Sequence, residues 1–126
     1  MEKQFNVEVV YCSKELSKKE MVMLKDLTRC ESLNDIVTEQ AIVIQPTMTA
    51  ELKVHNEHSK DNKDYTVYIV QDKDGTTYKT GSKSFFTTLT DIIEDMEDSE
   101  EEWAVNVYTK PSKNYKGKDF ITCSVV

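Results

Sequence analysis

Asp74-Gly75-Thr76-Thr77-Tyr78-Lys79-Thr80-Gly81-Ser82-Lys83-Ser84-Phe85-Phe86-Thr87-Thr88-Leu89 packs a turn, a strand and the start of a helix into one short stretch. Asp74-Gly75 supplies the positive backbone dihedrals of a tight hairpin. It joins Tyr65–Val70, rich in β-branched and aromatic residues, to a short strand at Thr76–Thr80. Ser82 or Ser84 then caps a helix. Its apolar residues Phe85, Phe86, Leu89, Ile92, Ile93 and Met96 recur at helical spacing, opposite Thr88, Asp91 and Asp95.

Upstream, Ala41–Val54 reads as one long strand, with Met48, Ala50, Leu52 and Val54 alternating and a bend near Pro46, where a missing donor is tolerated. A polar loop, His55–Asp64, follows. Nearer the start, Gln4–Tyr11 alternates with Phe5, Val7, Val9 and Tyr11 on one side, as a half-buried strand does. Ser17-Lys18-Lys19-Glu20 is a capping box. The residues to Leu27 fit a short helix or a strand, and Leu33–Glu39 reads as a connector. Downstream of the helix, Trp103–Thr109 alternates as a strand, Lys110–Lys118 is a basic loop broken by Pro111 and Gly117, and Asp119–Val126 is a last strand.

From residue 41 the order is thus strand, strand, strand, helix, strand, strand. That order predicts a β-rich α+β fold, an OB-like five-stranded Greek-key barrel with its helix between strands 3 and 4. Residues 1–40 form an N-terminal strand and helix elaboration, and 1–126 form a single domain.

A chain of 126 residues is long enough to bury a core without metal or disulfide. Three widely spaced cysteines, Cys12, Cys30 and Cys123, fit free thiols in a reducing compartment. The first residues have no basic segment leading into an apolar one, and no window approaches the ~18 apolar residues of a membrane span. A cytoplasmic location with no membrane partner is expected. The formal charge is −7, but eight of the 23 acidic residues fall between Asp91 and Glu102, leaving 15 against 16 basic ones. The negative charge is therefore local, and the remaining surface is free to carry a basic face.

Two segments carry a resemblance. Asp74–Lys83 running into the amphipathic helix, and Ser112-Lys113-Asn114-Tyr115-Lys116-Gly117-Lys118-Asp119-Phe120 before the terminal strand, resemble the single-stranded DNA-binding proteins of small protein-primed bacterial phages. The similarity runs from about Leu33 to the end. It implies an OB fold, sequence-independent binding of single strands, no catalysis and a place in phage or mobile-element DNA replication, hence in the bacterial host cytoplasm.

The basic loop carries the chemistry such binding needs. Lys110, Lys113, Lys116 and Lys118 supply ammonium groups for phosphates, with Tyr108 and Tyr115 and the nearby Phe120 as flat rings for bases. A second contribution is expected from Tyr68, Tyr78, Lys79 and Lys83. Strand alternation places Tyr68 on an open face and Tyr65 with Val67 and Ile69 in the core. Each of these also has a plain structural reading, as a solvated Lys-rich turn or half-buried strand tyrosines. Trp103 alternates with Val105 and Val107 and is expected in the core.

His55 and His58 lack the spacing of a metal site, and Asp72–Gly75 lacks the distal ligands of a calcium loop. No Gly-rich phosphate loop is present among only three glycines. No cofactor and no enzymatic activity are expected. Candidate partners are single-stranded DNA, a replication protein at Asp91–Glu102, and further copies of the chain. The rival reading is an acidic protein-interaction module that inhibits a host nucleic-acid enzyme by imitating DNA.

Overall fold

The computed structural model describes residues 5–60, 62–111 and 119–126. The elements are β1 (Phe5–Cys12), α1 (Lys18–Lys25), β2 (Glu31–Ser32), α2 (Leu33–Glu39), β3 (Ile42–Ile44), β4 (Pro46–Asn56), β5 (Asp64–Asp72), β6 (Thr77–Thr80), α3 (Lys83–Asp95), β7 (Val105–Pro111) and β8 (Asp119–Val125). A 3-10 turn at Leu27–Arg29 lies between α1 and β2.

Local chemistry explains most of these. Ser17 and Glu20 form the reciprocal capping box that starts α1, which is a helix and not a strand. Ser82 caps α3 by accepting from the Phe85 amide at 3.2 Å. Gly75 has φ +93°, the value its hairpin turn requires. The expected long strand is divided at Gln45 into β3 and β4, with a register shift between Pro46 and Met48. Gln45 is pinned there, its amide donating to the Asp72 carboxylate at 3.0 Å and its carbonyl accepting from the Lys73 amide at 3.0 Å.

The strands form two sheets, one ordered β1-β4-β5-β6-β2 and the other β3-β7-β8. The large sheet is covered on both faces. On one, Val7, Ala50, Leu52, Val54, Val67 and Ile69 pack with Leu24 of α1 and with Leu16, Leu27 and Cys30. On the other, Val70 and Tyr78 join Phe85 and Leu89 of α3, Leu33 and Val37 of α2, and Ile44, Val105, Val107, Ile121 and Cys123 of the small sheet. Burying each such aliphatic or aromatic side chain is worth about 1.5–3 kcal/mol. All three cysteines are free, and burial pushes the Cys123 thiol up to about 11.

Four expectations are corrected. The fold is β-rich and α+β, but its sheets do not close into a barrel. The free edge of β6 is occupied by Glu31 and Ser32 of β2, paired in parallel with Tyr78 and Lys79. Among the described residues, β8 therefore has no ladder to β6. The connector at Leu33–Glu39 is a helix, anchored by buried Leu33 and Val37 one turn apart. In β1 a register shift between Val9 and Tyr11 moves Tyr11 off the apolar face to stand opposite Glu51, exposed, while Cys12 faces Ala50. Finally, Tyr68 and Tyr65 lie on the faces that alternation predicts, but with their exposures reversed. α3 covers what was expected to be the open face, so Val67–Val70 is a continuous buried run. Tyr68 is only 6% exposed under Phe86, whereas Tyr65, near the end of β5, is 39% exposed.

Candidate nucleic-acid interface

Because β2 blocks the edge of β6, a seam remains between the two sheets, and a groove of about 600 Å³ opens there. One wall is Lys79, Thr80, Gly81 and Ser82, where β6 runs into α3. The other is Asp119, Phe120 and Ile121, where β8 begins. Tyr65–Val67 of β5 and Leu27, Ser32 and Asn34 complete the lining.

The chemistry of this lining is mixed in a useful way. Tyr65 and Phe120 are 39% and 42% exposed, so their rings are open to a flat ligand. Thr80 donates through its hydroxyl to Asn34 Oδ1 at 2.5 Å and accepts from the Ser82 amide at 3.1 Å, which fixes the groove's polar wall. Lys79 reaches the Leu27 carbonyl at 3.4 Å. It is the one cation in the described lining, and Asp119 the one carboxylate.

Phe120 also belongs to a second surface. In the β7–β8 register Phe120 stands opposite Lys110, and Tyr108 opposite Thr122. These residues alternate with buried Val107, Ile121 and Cys123 and so lie on the outer face of the small sheet. Tyr108 shares a hydrogen bond with the Ser124 hydroxyl at 2.8 Å, and Lys110 Nζ lies 5.8 Å from the Tyr108 ring centroid. A ring, a cation and a second ring thus lead outward from the groove.

Of the residues expected to bind, Lys79 lines the groove, and Tyr108 and Lys110 lie on the adjoining face. Lys83 is exposed at the first position of α3, directly after Ser82 of the groove wall. Tyr78 is half-buried against the inner core, and burial raises its phenol above the usual range, reinforced by Asp72, Asp74 and Glu31. Tyr68 is stacked on Phe86, with its phenol raised by burial and by Glu51. The Tyr68 ring is buried, and the Tyr78 ring is half-buried. Lys113, Tyr115, Lys116 and Lys118 lie outside the described residues. Trp103 packs half-buried on the core, as expected.

Sequence reasoning missed Tyr65. Periodicity assigned it to the apolar face correctly, but did not show that at the start of β5 it stays 39% exposed. Phe120 was named only as a ring beside the basic loop. Its position opposite Lys110 was the available signal.

A second depression, about 430 Å³, lies between the N-terminal segment and the β5–β6 turn. Lys14 and Arg29 are matched there by Glu20 and Glu31, and no ring lines it. It lacks what a nucleic acid needs. The acidic residues from Asp91 to Glu102 are all exposed at the C-terminal end of α3 and beyond. The rise of the helix puts Asp95, at its end, about 20 Å from Ser82. Among the described residues no group of His, Cys, Asp and Glu is arranged to hold a metal, and no helix is long and apolar enough to cross a membrane.

Searches among curated proteins and among solved structures returned no match. A family model described as phage single-stranded DNA-binding protein matches residues 18–126, which takes in the groove, the outer face of the small sheet and the helix between them. The chain belongs to the phage single-stranded DNA-binding protein family.

Proposed function

We propose that the protein coats single-stranded DNA during phage or mobile-element replication in the host cytoplasm, without sequence preference and without catalysis. Family membership supports the ligand class. The observation that carries the site is the open seam, where Tyr65, Phe120 and Lys79 share one groove with Lys110 and Tyr108 beside it. Rings stack on any base, so affinity comes with little discrimination among bases. Lys113, Lys116 and Lys118 belong to the same reading, since in sequence they fall between Pro111 of β7 and Asp119 of β8. Tyr115 adds a further ring to that segment.

The strand pairing supports an OB interpretation of the fold. Ladders run β8-β7-β3 and, across Gln45, β4-β5-β6, with α3 between β6 and β7. This order is compatible with that of an OB fold in which one junction is left unpaired. The usual ligand loops of that fold, between its first two and its last two strands, would correspond in sequence to 57–63 and 112–118.

Titration of labelled oligo-dT at several salt concentrations tests the reading. With about five lysines on phosphates, the log–log slope is expected near −3.5, from roughly −0.7 per contact. Salt-independent association, or none at low salt, overturns it.

One observation favours a second role for the acidic segment. Glu94 and Asp95 occupy the last turn of α3, where the helix dipole is repelled by negative charge. Carboxylates retained at a small cost there fit an exposed contact for a basic replication partner, or the DNA-imitating inhibitor. Capture of a host enzyme that is competed by duplex DNA, with no oligo-dT binding, would replace the coating role.

A further inference from the structure

We propose that His55 is the bridging cation of a proton-controlled clamp that fixes the β4–β5 loop beside the groove, so that single-strand binding weakens as the ring loses its proton. The regulation rests on the function proposed above; the clamp itself does not.

The geometry sets the charge. His55 Nδ1 lies 2.7 Å from Asp64 Oδ1, and Nε2 lies 2.6 Å from Glu57 Oε1. An ionised carboxylate only accepts hydrogen bonds, and neutral imidazole carries a single N–H. Both contacts are satisfied together only when both ring nitrogens are protonated. Glu57 Oε2 takes Lys63 Nζ at 3.1 Å, and the Asn56 amide donates to the Lys63 carbonyl at 2.6 Å. The chain Lys63–Glu57–His55–Asp64 therefore ties the end of β4 to the loop and to the first residue of β5.

The other charged groups around the ring leave the balance with the proton. Glu8 of β1 and Lys53 of β4 line the same depression as His55, Asp64 and Tyr65, and Asn6 stands opposite His55 in the ladder. Among the described groups of the network and this depression, Lys53 and Lys63 offset two of the three carboxylates, Glu8, Glu57 and Asp64. The imidazolium offsets the third, and its loss leaves a net negative patch. That patch borders Tyr65, which also lines the groove. Loosening the loop and adding negative charge both act against a polyanion at this end.

Hydrogen bonds to Asp64 and then Glu57 hold the His55 imidazolium above its usual range. A folded-state value above the unfolded one means the clamp is fully formed below the ordinary histidine value. It is lost as pH rises through the higher folded value. Because the three side chains are partly solvated, the effect is that of a screened surface network.

The chain has only two histidines, so NMR titration of the free protein resolves both, with His58→Asn assigning the signals. His55 is expected to titrate above about 6.5, and Asp64→Asn or Glu57→Gln to lower its midpoint. A His55 midpoint at or below the ordinary value, or one unmoved by those changes, overturns the clamp. Oligo-dT affinity is then measured from pH 6 to 9. The wild type is expected to lose roughly two- to fivefold through the His55 midpoint, while His55→Asn binds at the lower level throughout. Parallel profiles for the two proteins overturn the regulation. Absence of oligo-dT binding at pH 6 and low salt sinks the groove reading and this regulation with it, leaving the NMR result to decide the clamp.

Discussion

Phe86 of α3 lies over Tyr68 of β5 with ring centroids 4.6 Å apart and planes inclined by 28°. This contact locks the helix onto the large sheet and removes from solvent the tyrosine that alternation offers as a base platform. Phe86→Ala is expected to cost about 3–5 kcal/mol in urea unfolding. Tyr68→Phe keeps the stacked ring, so it should leave oligo-dT affinity unchanged. A large affinity loss in Tyr68→Phe would show that the phenol reaches DNA after all.

Tyr65 and Phe120 are the opposite case, since their rings are open and line the groove. Replacing either by Ala is expected to weaken oligo-dT binding by about 1–3 kcal/mol. Stability should move far less than in Phe86→Ala. Fluorescence anisotropy with a labelled strand measures the first, and urea unfolding the second. Unchanged affinity in both variants would place the strand elsewhere.

Lys79 lines the groove and Lys110 lies on the neighbouring face, where the proposed function has them meet the DNA backbone. Each Lys→Ala change is expected to reduce the steepness of the log–log salt dependence by roughly 0.7. The loss should be the same for oligo-dT, oligo-dC and mixed sequences. A loss confined to one base composition would mean that the lysine reads a base instead of a phosphate.

Glu94 and Asp95 oppose the dipole of α3, so neutralising them as Glu94→Gln with Asp95→Asn is expected to stabilise the protein. The gain should be about 0.3–1 kcal/mol per residue at low ionic strength. The groove wall at Ser82 is about 20 Å away along the helix, beyond the ~8 Å screening length at physiological salt. Oligo-dT affinity should therefore stay within about twofold. Differential scanning calorimetry and a titration in 0.15 M salt check the two halves.

Much of the large sheet and α3 was legible because each segment had a local reason to form. Asp74-Gly75 made the turn, Ser82 made the cap, and Phe85, Phe86 and Leu89 made the face. α2 was missed because seven residues offer only Leu33, Ile36 and Val37 as a periodic signal, too few to tell a helix from a connector. The Tyr65 and Tyr68 assignments failed for a different reason. Alternation sorts side chains into two faces, but how far each face is covered depends on α1 and α3, which are distant in sequence. The open barrel was illegible for the same reason, since Glu31 and Ser32 look like a linker and act as the strand that takes the edge of β6. Lysine and aromatic clustering led to β7 and the segment after it, but the groove needed the pairing of β2 with β6 to be seen.

The division at Gln45 has one more outcome. Both sheets are continuous with each other through a single residue, and the Asp72 carboxylate and Lys73 amide hold that residue in place. On the proposed reading, a base stacking on Tyr65 or Phe120 would enter a groove between two ladders that are each complete without it. Its entry would rupture no interstrand hydrogen bond among the described residues, so little enthalpy would oppose it.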